Sequence, residues 1–240
     1  MVTISVITAT LNCADVLAGL INSLLAQTDT NFEWVVIDGV SSDQTLQMAN
    51  EAPLKQKVIL SEPDFGIYHA LNKGIAVSSG DYYLVVGADD QLSPTAIAEF
   101  RRIACLSKPD LVAASVEGFG QVLRPNRGSR WARGGNAFFS SHSVGTLIKK
   151  SLHNKYGYYC NEYICAADMY FLLTAMSDRQ THVVVAPFVA GQFSDKGMSS
   201  TDRIGSLSDA FRIQLRFNEN RLVQYLLFIY RIGRALFLKR

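Results

Sequence analysis

The sequence predicts an α/β fold, in which a mostly parallel sheet is covered by helices on both faces. Strand and helix signals alternate along the first half of the chain, and the connections between them are short. The chain has 240 residues, of which 48% are apolar and 18% are charged, so it is long enough and apolar enough to form a full core. No internal repeat or low-complexity linker interrupts it, and we therefore expect its two halves to share one sheet.

The elements of the first half follow from the spacing of apolar residues. Residues 3–9 are apolar and β-branched, which favours a strand, and apolar residues recur at helical spacing over residues 16–25. The next helix is opened by Ser41, Ser42 or Asp43 as its cap. The other strands are expected at residues 32–38, 57–61 and 82–87, and the other helices at 41–52 and 66–77.

The second half is less regular. Residues 118–136 contain five glycines and four arginines, which predicts a loop-rich insertion that faces the substrate. Residues 191–200 are polar and show no periodicity, and we interpret them as a mobile lid. Helices are expected at 94–106 and 167–177, and strands at 110–116 and 182–189. The four arginines are Arg124, Arg127, Arg130 and Arg133.

The composition excludes several classes of protein. The four cysteines show no CxxC spacing and the four histidines are scattered, so neither a zinc site nor a disulfide framework is expected. Cys160 and Cys165 are interpreted as reduced thiols in the core of a cytosolic protein. The N-terminus reads directly as a strand and lacks the features of a signal peptide.

Carboxylates follow two of the expected strands. Asp38 ends the run WVVID, and Asp89 and Asp90 follow an apolar segment that ends at Val86. The carboxyl ends of parallel strands line the crevice where open α/β sheets bind ligands. Two adjacent carboxylates repel each other unless a divalent cation lies between them and a phosphate. The pair therefore indicates either a metal-dependent phosphate site or a solvated turn.

Four segments, taken in order, resemble the inverting glycosyltransferases of family 2, which have the nucleotide-diphospho-sugar transferase fold called GT-A. The four segments are SVITATLN at residues 5–12, DGVSSDQT at 38–45, SEPDFGIYHALNKG at 61–74 and VVGADD at 85–90. The third segment most resembles the branch that builds bacterial O-antigen, capsule and exopolysaccharide. The resemblance covers about residues 3–200.

The resemblance implies a glycosyltransferase domain over residues 1–202, divided into a nucleotide-binding half at 1–90 and an acceptor half at 91–202.

The resemblance implies that the first two segments bind the nucleotide base. Thr10, Leu11 and Asn12 form the turn that cradles the base, with Leu11 in place of the tyrosine that is usual in the family. Asp38 accepts the imide N–H of uracil or thymine, and Gly39 leaves room for the ligand. The alternatives are structural: Asn12 forms the turn or caps a helix, and Asp38 caps the next helix.

The third segment is placed near the nucleoside by the same resemblance. Asp64 and Gly66 precede its helix, and Lys73 would neutralise phosphate or touch the base. The alternative for Lys73 is a plain surface position, and the alternative for Tyr68 is the core.

The resemblance also assigns the metal and the chemistry. Asp89 binds the ribose, and Asp90 holds Mn²⁺ or Mg²⁺, which prefer oxygen ligands. Asp168, in CAAD at 165–168, is the catalytic base that takes the proton of the acceptor hydroxyl, unless it caps its helix; Glu162 is then the candidate base. His142 contacts the acceptor or the diphosphate, or is structural.

Two further segments are interpreted on pattern. The run DKGMS at residues 195–199 resembles the flexible segment of the family that closes over the donor. Residues 203–240 carry eight Lys or Arg against two acids, a net charge of +6, so that residues 1–202 carry −4 of the total of +2. This tail predicts a basic amphipathic helix, because Leu222, Leu226, Ile229, Gly233 and Leu236 repeat at helical spacing.

The tail is expected to lie on a membrane surface or to pack on the body of the protein. Its basic residues would meet anionic head groups. They are Arg221, Arg231, Arg234, Lys239 and Arg240. The apolar run from Tyr225 to Tyr230 is too short to span a bilayer. Its aromatic residues belong to the apolar pattern rather than to an exposed stacking platform, so nucleic acid is not an expected partner.

The sequence therefore predicts a metal-dependent inverting glycosyltransferase that moves a hexosyl or N-acetylhexosaminyl group from a nucleotide-diphosphate sugar, of the UDP type, to a lipid-linked glycan. It is expected in the cytoplasm, peripheral on the inner face of a bacterial membrane. One alternative is a nucleotidyltransferase, which would carry a Gly-rich basic loop where this chain has TATLNCAD. The other is an inactive nucleotide-binding module of the same fold.

Overall fold

The computed structural model describes residues 2–125, 132, 139, 142–194, 202–217 and 219–237. The strands are β1 (Ile4–Thr10), β2 (Glu33–Asp38), β3 (Lys57–Ser61), β4 (Tyr82–Val85), β5 (Gln91–Leu92), β6 (Leu111–Gly118), β7 (Gln121–Leu123), β8 (Thr146–Lys149) and β9 (Val183–Gln192).

Helices flank these strands. They are α1 (Ala14–Leu25), α2 (Thr45–Glu51), α3 (Ile67–Val77), α4 (Ala96–Ser107), α5 (Leu152–Tyr156), α6 (Ala167–Ser177), α7 (Arg203–Arg216) and α8 (Arg221–Phe237), with a 3-10 turn at Ser143–Gly145.

One sheet runs through the described part of the chain, in the order β3-β2-β1-β4-β8-β6-β9-β5, with β7 paired to the edge of β6. The strands β3, β2, β1 and β4 are mutually parallel. The predicted single sheet is therefore confirmed, and these four strands of its first half are parallel as expected. The second half is mixed, because β8 pairs antiparallel with both β4 and β6 while β9 runs parallel to β6.

The core lies on both faces of the sheet, because alternate residues of a strand point to opposite sides. On β2, Trp34 and Val36 pack into the cluster beneath α1 and α4, whereas Val35 and Ile37 pack into the cluster beneath α3 and α6. A strand buried on both faces reads as a continuous apolar run, which explains why WVVI shows no alternation.

Two expectations for irregular segments are corrected. β6 continues to Gly118 and turns through Phe119 and Gly120, both with positive φ, into β7, so the start of the expected insertion is a hairpin. β9 extends through Gly191 and Gln192, so the start of the expected lid is a strand. Arg124 is exposed. Arg127, Arg130, Arg133 and the run from Asp195 to Ser199 lie outside the described residues.

The C-terminal tail forms two helices rather than one. α7 packs on the body through Ile213, which is fully buried against the cluster beneath α3 and α6. α8 packs on α7, where Phe228 stacks on Phe211 with the ring centroids 4.5 Å apart. No helix in the described ranges has both the length and the apolar character needed to cross a membrane.

Candidate functional site

The carboxylate of Asp38 ties together the ends of three parallel strands. It is fully buried and accepts hydrogen bonds from Thr10 Oγ1 at 3.2 Å, from Ser61 Oγ at 2.7 Å, and from the backbone N and Oγ of Ser41 at 3.0 and 2.5 Å. Burial alone would raise the pKa of Asp38, but the hydrogen bonds from Ser41, Ser61 and Thr10 outweigh it and lower the pKa. These bonds fill the acceptor sites of the carboxylate, so a contact with a base would have to replace one of the serine donors.

The turn after β1 is held to the turn after β2. Asn12 has a left-handed backbone, with φ of 47°, and its Oδ1 accepts a hydrogen bond from the backbone N of Ser42 at 2.8 Å. The helix α1 starts from Cys13, which has no side-chain cap, so Asn12 forms the turn and does not cap the helix. The side chain of Leu11 is 59% exposed and available for an apolar contact with a ligand.

The segment before α3 contributes a carboxylate to the same crevice. An ideal Cβ built on Gly39 would lie 2.8 Å from Asp64 Oδ2 and 3.4 Å from Leu11 Cδ1, so Asp64 fills the space above Gly39. The other oxygen of Asp64 accepts a hydrogen bond from the N of Gly66, at 2.8 Å. Lys73 pairs with Glu62 at 2.7 Å and is neither exposed nor free, so it anchors this segment instead of projecting from the surface.

The two carboxylates that follow β4 converge on one place. An ideal Cβ built on Gly87 would lie 2.8 Å from Asp90 Oδ2 and 3.1 Å from Asp89 Oδ1. Asp90 is almost completely buried and accepts hydrogen bonds from the backbone N of Gly87 at 2.9 Å and of Ser194 at 3.2 Å. Burial raises the pKa of the Asp90 carboxyl, an effect that the nearby His142 opposes and the charge of Asp89 reinforces.

His142 lies at this carboxylate pair. Its Nδ1 is 3.8 Å from Asp90 Oδ2, and its ring stacks on Phe193 with the centroids 4.4 Å apart. Asp89 faces an open cavity of about 830 Å³, which Phe119 and Phe193 also line.

The donor set fits a divalent cation. No cluster of three or more His, Cys, Asp or Glu side chains suited to a metal occurs among the described residues. A cation held by Asp90 would take its other ligands from donor phosphates and water, which is the usual arrangement for Mg²⁺. Asp90 provides the carboxylate that this arrangement needs, and Asp89 lies beside it over Gly87, in reach of a ribose bound next to the metal.

Asp168 lies in the first turn of α6 and is bound from α3. The hydroxyl of Tyr68 donates a hydrogen bond to Asp168 Oδ1 at 2.7 Å. Ala166 occupies the N-cap position, so the alternative of Asp168 as a helix cap is wrong. Glu162 pairs with Arg216 at 2.5 Å on the surface.

Tyr68 was expected near the nucleoside or, as the alternative, in the core, and its contact with Asp168 was not expected. The sequence offered one signal: Tyr68 and Asn72 are four residues apart and therefore share one face of a helix, which indicates that both contact the same neighbour. Both contact Tyr159: the Tyr68 ring packs edge-on against its ring, and the Asn72 side chain exchanges two hydrogen bonds with its backbone, at 2.8 and 3.0 Å.

The chain is similar to known proteins in sequence and in fold. A family model described as "Glycosyl transferase family 2" matches residues 5–164. A PGL/p-HBAD biosynthesis glycosyltransferase of Mycobacterium bovis is 33% identical over 202 residues, which cover 77% of this chain and 75% of that protein.

Two solved structures share the fold at low sequence identity. Residues 1–349 of S. aureus TarS in complex with UDP-GlcNAc match with a TM-score of 0.71 and 19% identity, covering 99% of this chain and 76% of that one. A mannosyltransferase from Pyrobaculum calidifontis in complex with GDP-Man and Mn²⁺ matches with a TM-score of 0.73 and 17% identity, covering 100% of this chain and 76% of that one.

Proposed function

Because this chain belongs to glycosyl transferase family 2, it is a glycosyltransferase of the GT-A fold, and we propose that it transfers a sugar from a UDP-linked donor to a lipid-linked glycan with inversion. The observation that carries the proposal is the convergence of Asp89 and Asp90 over Gly87. The strand β4, which they follow, lies beside β1 and parallel to it, so the two acids lie at the same edge of the sheet as Asp38.

Donor binding is assigned to residues 1–90, with residues 91–202 as the acceptor half. Leu11 supplies the apolar contact for the base and Asp64 provides a carboxylate at the crevice, while Asp38 would accept from the base in exchange for one of its serine donors. A carboxylate accepts the imide N–H of uracil, which cytosine lacks. The structural relatives support a nucleotide-sugar donor, since one binds UDP-GlcNAc and the other GDP-Man.

Asp90 would hold Mn²⁺ or Mg²⁺, and Asp89 the ribose. When bound, the cation supplies positive charge that stabilises the leaving nucleoside diphosphate. The burial of Asp90 aids this role, because electrostatic interactions are stronger away from water. His142 lies at the same carboxylate and is assigned to the diphosphate or the acceptor.

Asp168 is assigned as the general base. Its carboxylate takes the proton from the acceptor hydroxyl as that oxygen bonds to the anomeric carbon, and the bond from this carbon to the diphosphate oxygen breaks with its electron pair. Attack from the side opposite the leaving group inverts the anomeric configuration. The hydrogen bond from Tyr68 engages only one oxygen of Asp168 among the contacts of the described residues, which leaves the other for the acceptor.

The tail is proposed to bind the inner face of a bacterial membrane, where a lipid-linked acceptor would lie. α8 packs on α7 with one face and leaves an apolar stripe exposed, formed by Leu222, Leu226, Ile229 and Tyr230. Arg221 and Arg234 are exposed on the same helix. An exposed apolar stripe with basic neighbours is typical of helices that lie in the membrane interface.

Arg231 does not contribute to this proposed contact. Its guanidinium turns toward the body and donates to Ala132 O and to Gln214 Oε1. Burial correspondingly lowers the pKa of Arg231. Lys239 and Arg240 lie outside the described residues.

The test is release of UDP from a panel of UDP-sugars, with Mn²⁺, with Mg²⁺ and with a chelator. Asp168→Ala should lower turnover by about 10²- to 10⁴-fold and keep the thermal shift that donor and Mn²⁺ produce. Asp90→Ala should lose both turnover and the shift, whereas Asp15→Ala, at an exposed position of α1, should behave as wild type. Wild-type turnover in both Asp90→Ala and Asp168→Ala would show that the site is wrongly assigned.

A further inference from the structure

We propose that Tyr68 is a positioning residue for the catalytic base: its hydroxyl fixes the carboxylate of Asp168 so that one oxygen faces the acceptor. The inference rests on the proposed function, because it concerns the residue assigned as the base. It adds a second residue, from a different helix, to the proton-transfer step. Tyr68 itself touches neither the acceptor nor the donor in this proposal and acts only through Asp168.

The geometry is that of a strong hydrogen bond. Tyr68 Oη lies 2.7 Å from Asp168 Oδ1, which is the usual length for an O–H donor to an oxygen acceptor. An ionised carboxylate has no proton to give, so the phenol must be the donor. Burial and the charge of Asp168 both raise the pKa of Tyr68 well above its ordinary value, so the phenol keeps its proton wherever Asp168 is ionised.

The aromatic ring of Tyr68 is held in place by its neighbours. It packs edge-on against the ring of Tyr159, with the centroids 5.6 Å apart, and Tyr159 is buried in the core. Asn72, one turn after Tyr68 on α3, clamps the backbone N and O of Tyr159. Because α3 is bound to Tyr159 at both residues, the Tyr68 hydroxyl has little freedom to move away from Asp168.

The polar groups beneath Tyr159 are already satisfied by one another. His153 Nδ1 lies 2.9 Å from the carbonyl of Gly157 and must donate to it, so Nε2 has no hydrogen and accepts from Tyr83 Oη at 2.7 Å. The hydroxyl of Tyr83 therefore accepts from Tyr159 Oη at 2.9 Å. Among the described residues this chain of hydrogen bonds ends at Tyr159, and Tyr68 donates to Asp168 from outside it.

A fixed carboxylate matters because proton transfer depends on geometry. Asp168 is in the first turn of α6, and rotation of its side chain would move the free oxygen away from the acceptor hydroxyl. The hydrogen bond from Tyr68 removes that freedom before the acceptor binds. A group that only orients the base should affect the rate of the chemical step and leave the affinity for the donor unchanged.

The experiment compares Tyr68→Phe with Tyr82→Phe in the full chain. Tyr82 is a matched control, since it is buried and its hydroxyl also donates a single hydrogen bond at 2.7 Å, to Pro109 O. Loss of a hydrogen bond to a charged group should lower kcat of Tyr68→Phe about 10- to 100-fold, with the donor KM within about twofold of wild type. Tyr82→Phe should keep both kcat and KM, and circular dichroism and thermal melting should show that both variants are folded.

Asp168→Asn separates the inference from the function on which it rests. If Asp168→Asn keeps wild-type turnover, the proposed base is wrong. If Asp168→Asn is inactive and Tyr68→Phe keeps wild-type kcat, the base stands and the positioning role is overturned. A rise in donor KM without a fall in kcat, or an equal fall in kcat for Tyr82→Phe, would also overturn it, because a structural effect alone would then explain the result.

Discussion

The carboxylate of Asp64 occupies the space that a side chain at Gly39 would need. The two residues come from different loops, one after β2 and one before α3, and the ideal Cβ of residue 39 would lie 2.8 Å from Asp64 Oδ2. One loop thus closes over the other at the proposed base crevice. The bond from the N of Gly66 to Asp64 Oδ1 holds the carboxylate there.

Gly39→Ala should therefore impair donor binding. The new methyl group must displace Asp64 and press on Leu11, so we expect the KM for the UDP-sugar to rise about tenfold, equivalent to ~1.4 kcal/mol. Steady-state kinetics over a range of donor concentrations measure this. Gly233→Ala, where the added Cβ has nothing within 4 Å, is the control and should keep the wild-type KM. An unchanged KM in Gly39→Ala would place the donor elsewhere.

Gly87→Ala should weaken the proposed metal site. A methyl group at residue 87 would come within 2.8 Å of Asp90 Oδ2 and 3.1 Å of Asp89 Oδ1, and would push the two carboxylates apart. We expect the Mn²⁺ concentration for half-maximal activity to rise about tenfold, since the methyl group would displace the Asp90 carboxylate that is assigned to the metal. A titration of activity with Mn²⁺ measures this, and the melting temperature without metal shows whether the variant is otherwise stable. Activation by Mn²⁺ identical to wild type would argue against a metal at Asp90.

Stability should fall in mildly acidic solution because of His153. Burial lowers the pKa of this imidazole from its ordinary value of 6.5, so the unfolded chain takes up the proton more readily than the folded one. The contribution of neutral His153 is complete above pH 6.5 and is lost as the pH falls through the lower pKa of the folded state. Urea unfolding between pH 8 and pH 5 measures the change.

His153→Gln tests the source of this pH dependence. The variant should be less stable at pH 8 by about 1–3 kcal/mol, since it disturbs the bonds to Tyr83 and Gly157, but its stability should change less with pH than that of wild type. His182→Gln, at an exposed position, should retain the wild-type dependence. Equal slopes for wild type and His153→Gln would assign the effect to other groups.

The apolar stripe of α8 should determine binding to anionic vesicles. Leu226 is 70% exposed, and Leu226→Glu places a charge where the proposed contact inserts an apolar side chain. We expect the partition coefficient for phosphatidylglycerol vesicles, measured in a flotation assay, to fall about 10- to 100-fold. Leu106→Glu is the matched control, because Leu106 on α4 is 75% exposed and lies outside the tail. Equal binding by both variants and wild type would favour packing of the tail against protein.

Elements with a clear apolar pattern could be predicted from the sequence, and short elements without one could not. The bounds of β3 and α6 agree with the sequence expectation at both ends. β5 and β8, of two and four residues, were missed, because so few residues cannot show a period. β5 is a strand because it pairs with β9, whose residues are about 100 positions away in the chain.

In the candidate site, too, some residues could be identified from the sequence and others could not. Asp38, Asp89 and Asp90 could be identified because each follows an apolar strand whose end defines a place in the fold. The partners of Lys73 and Tyr68 could not be identified from the sequence, because these contacts depend on how α3 is rotated against the loops beside it. Lys73 pairs with Glu62, and Tyr68 donates to Asp168. Only the packed position of α3 shows that Lys73 is not a surface lysine and that Tyr68 is not simply a core residue.

The network around Asp38 also has an energetic consequence for ligand binding. A crevice formed from loose loops would lose conformational entropy when a nucleotide orders it, and that loss would subtract from the affinity. Here one buried carboxylate joins Thr10, Ser41 and Ser61, so the loops at the proposed base crevice are ordered in advance. Much of the interaction with the base would then appear as affinity, which would partly offset the weaker contact of a leucine in place of an aromatic ring.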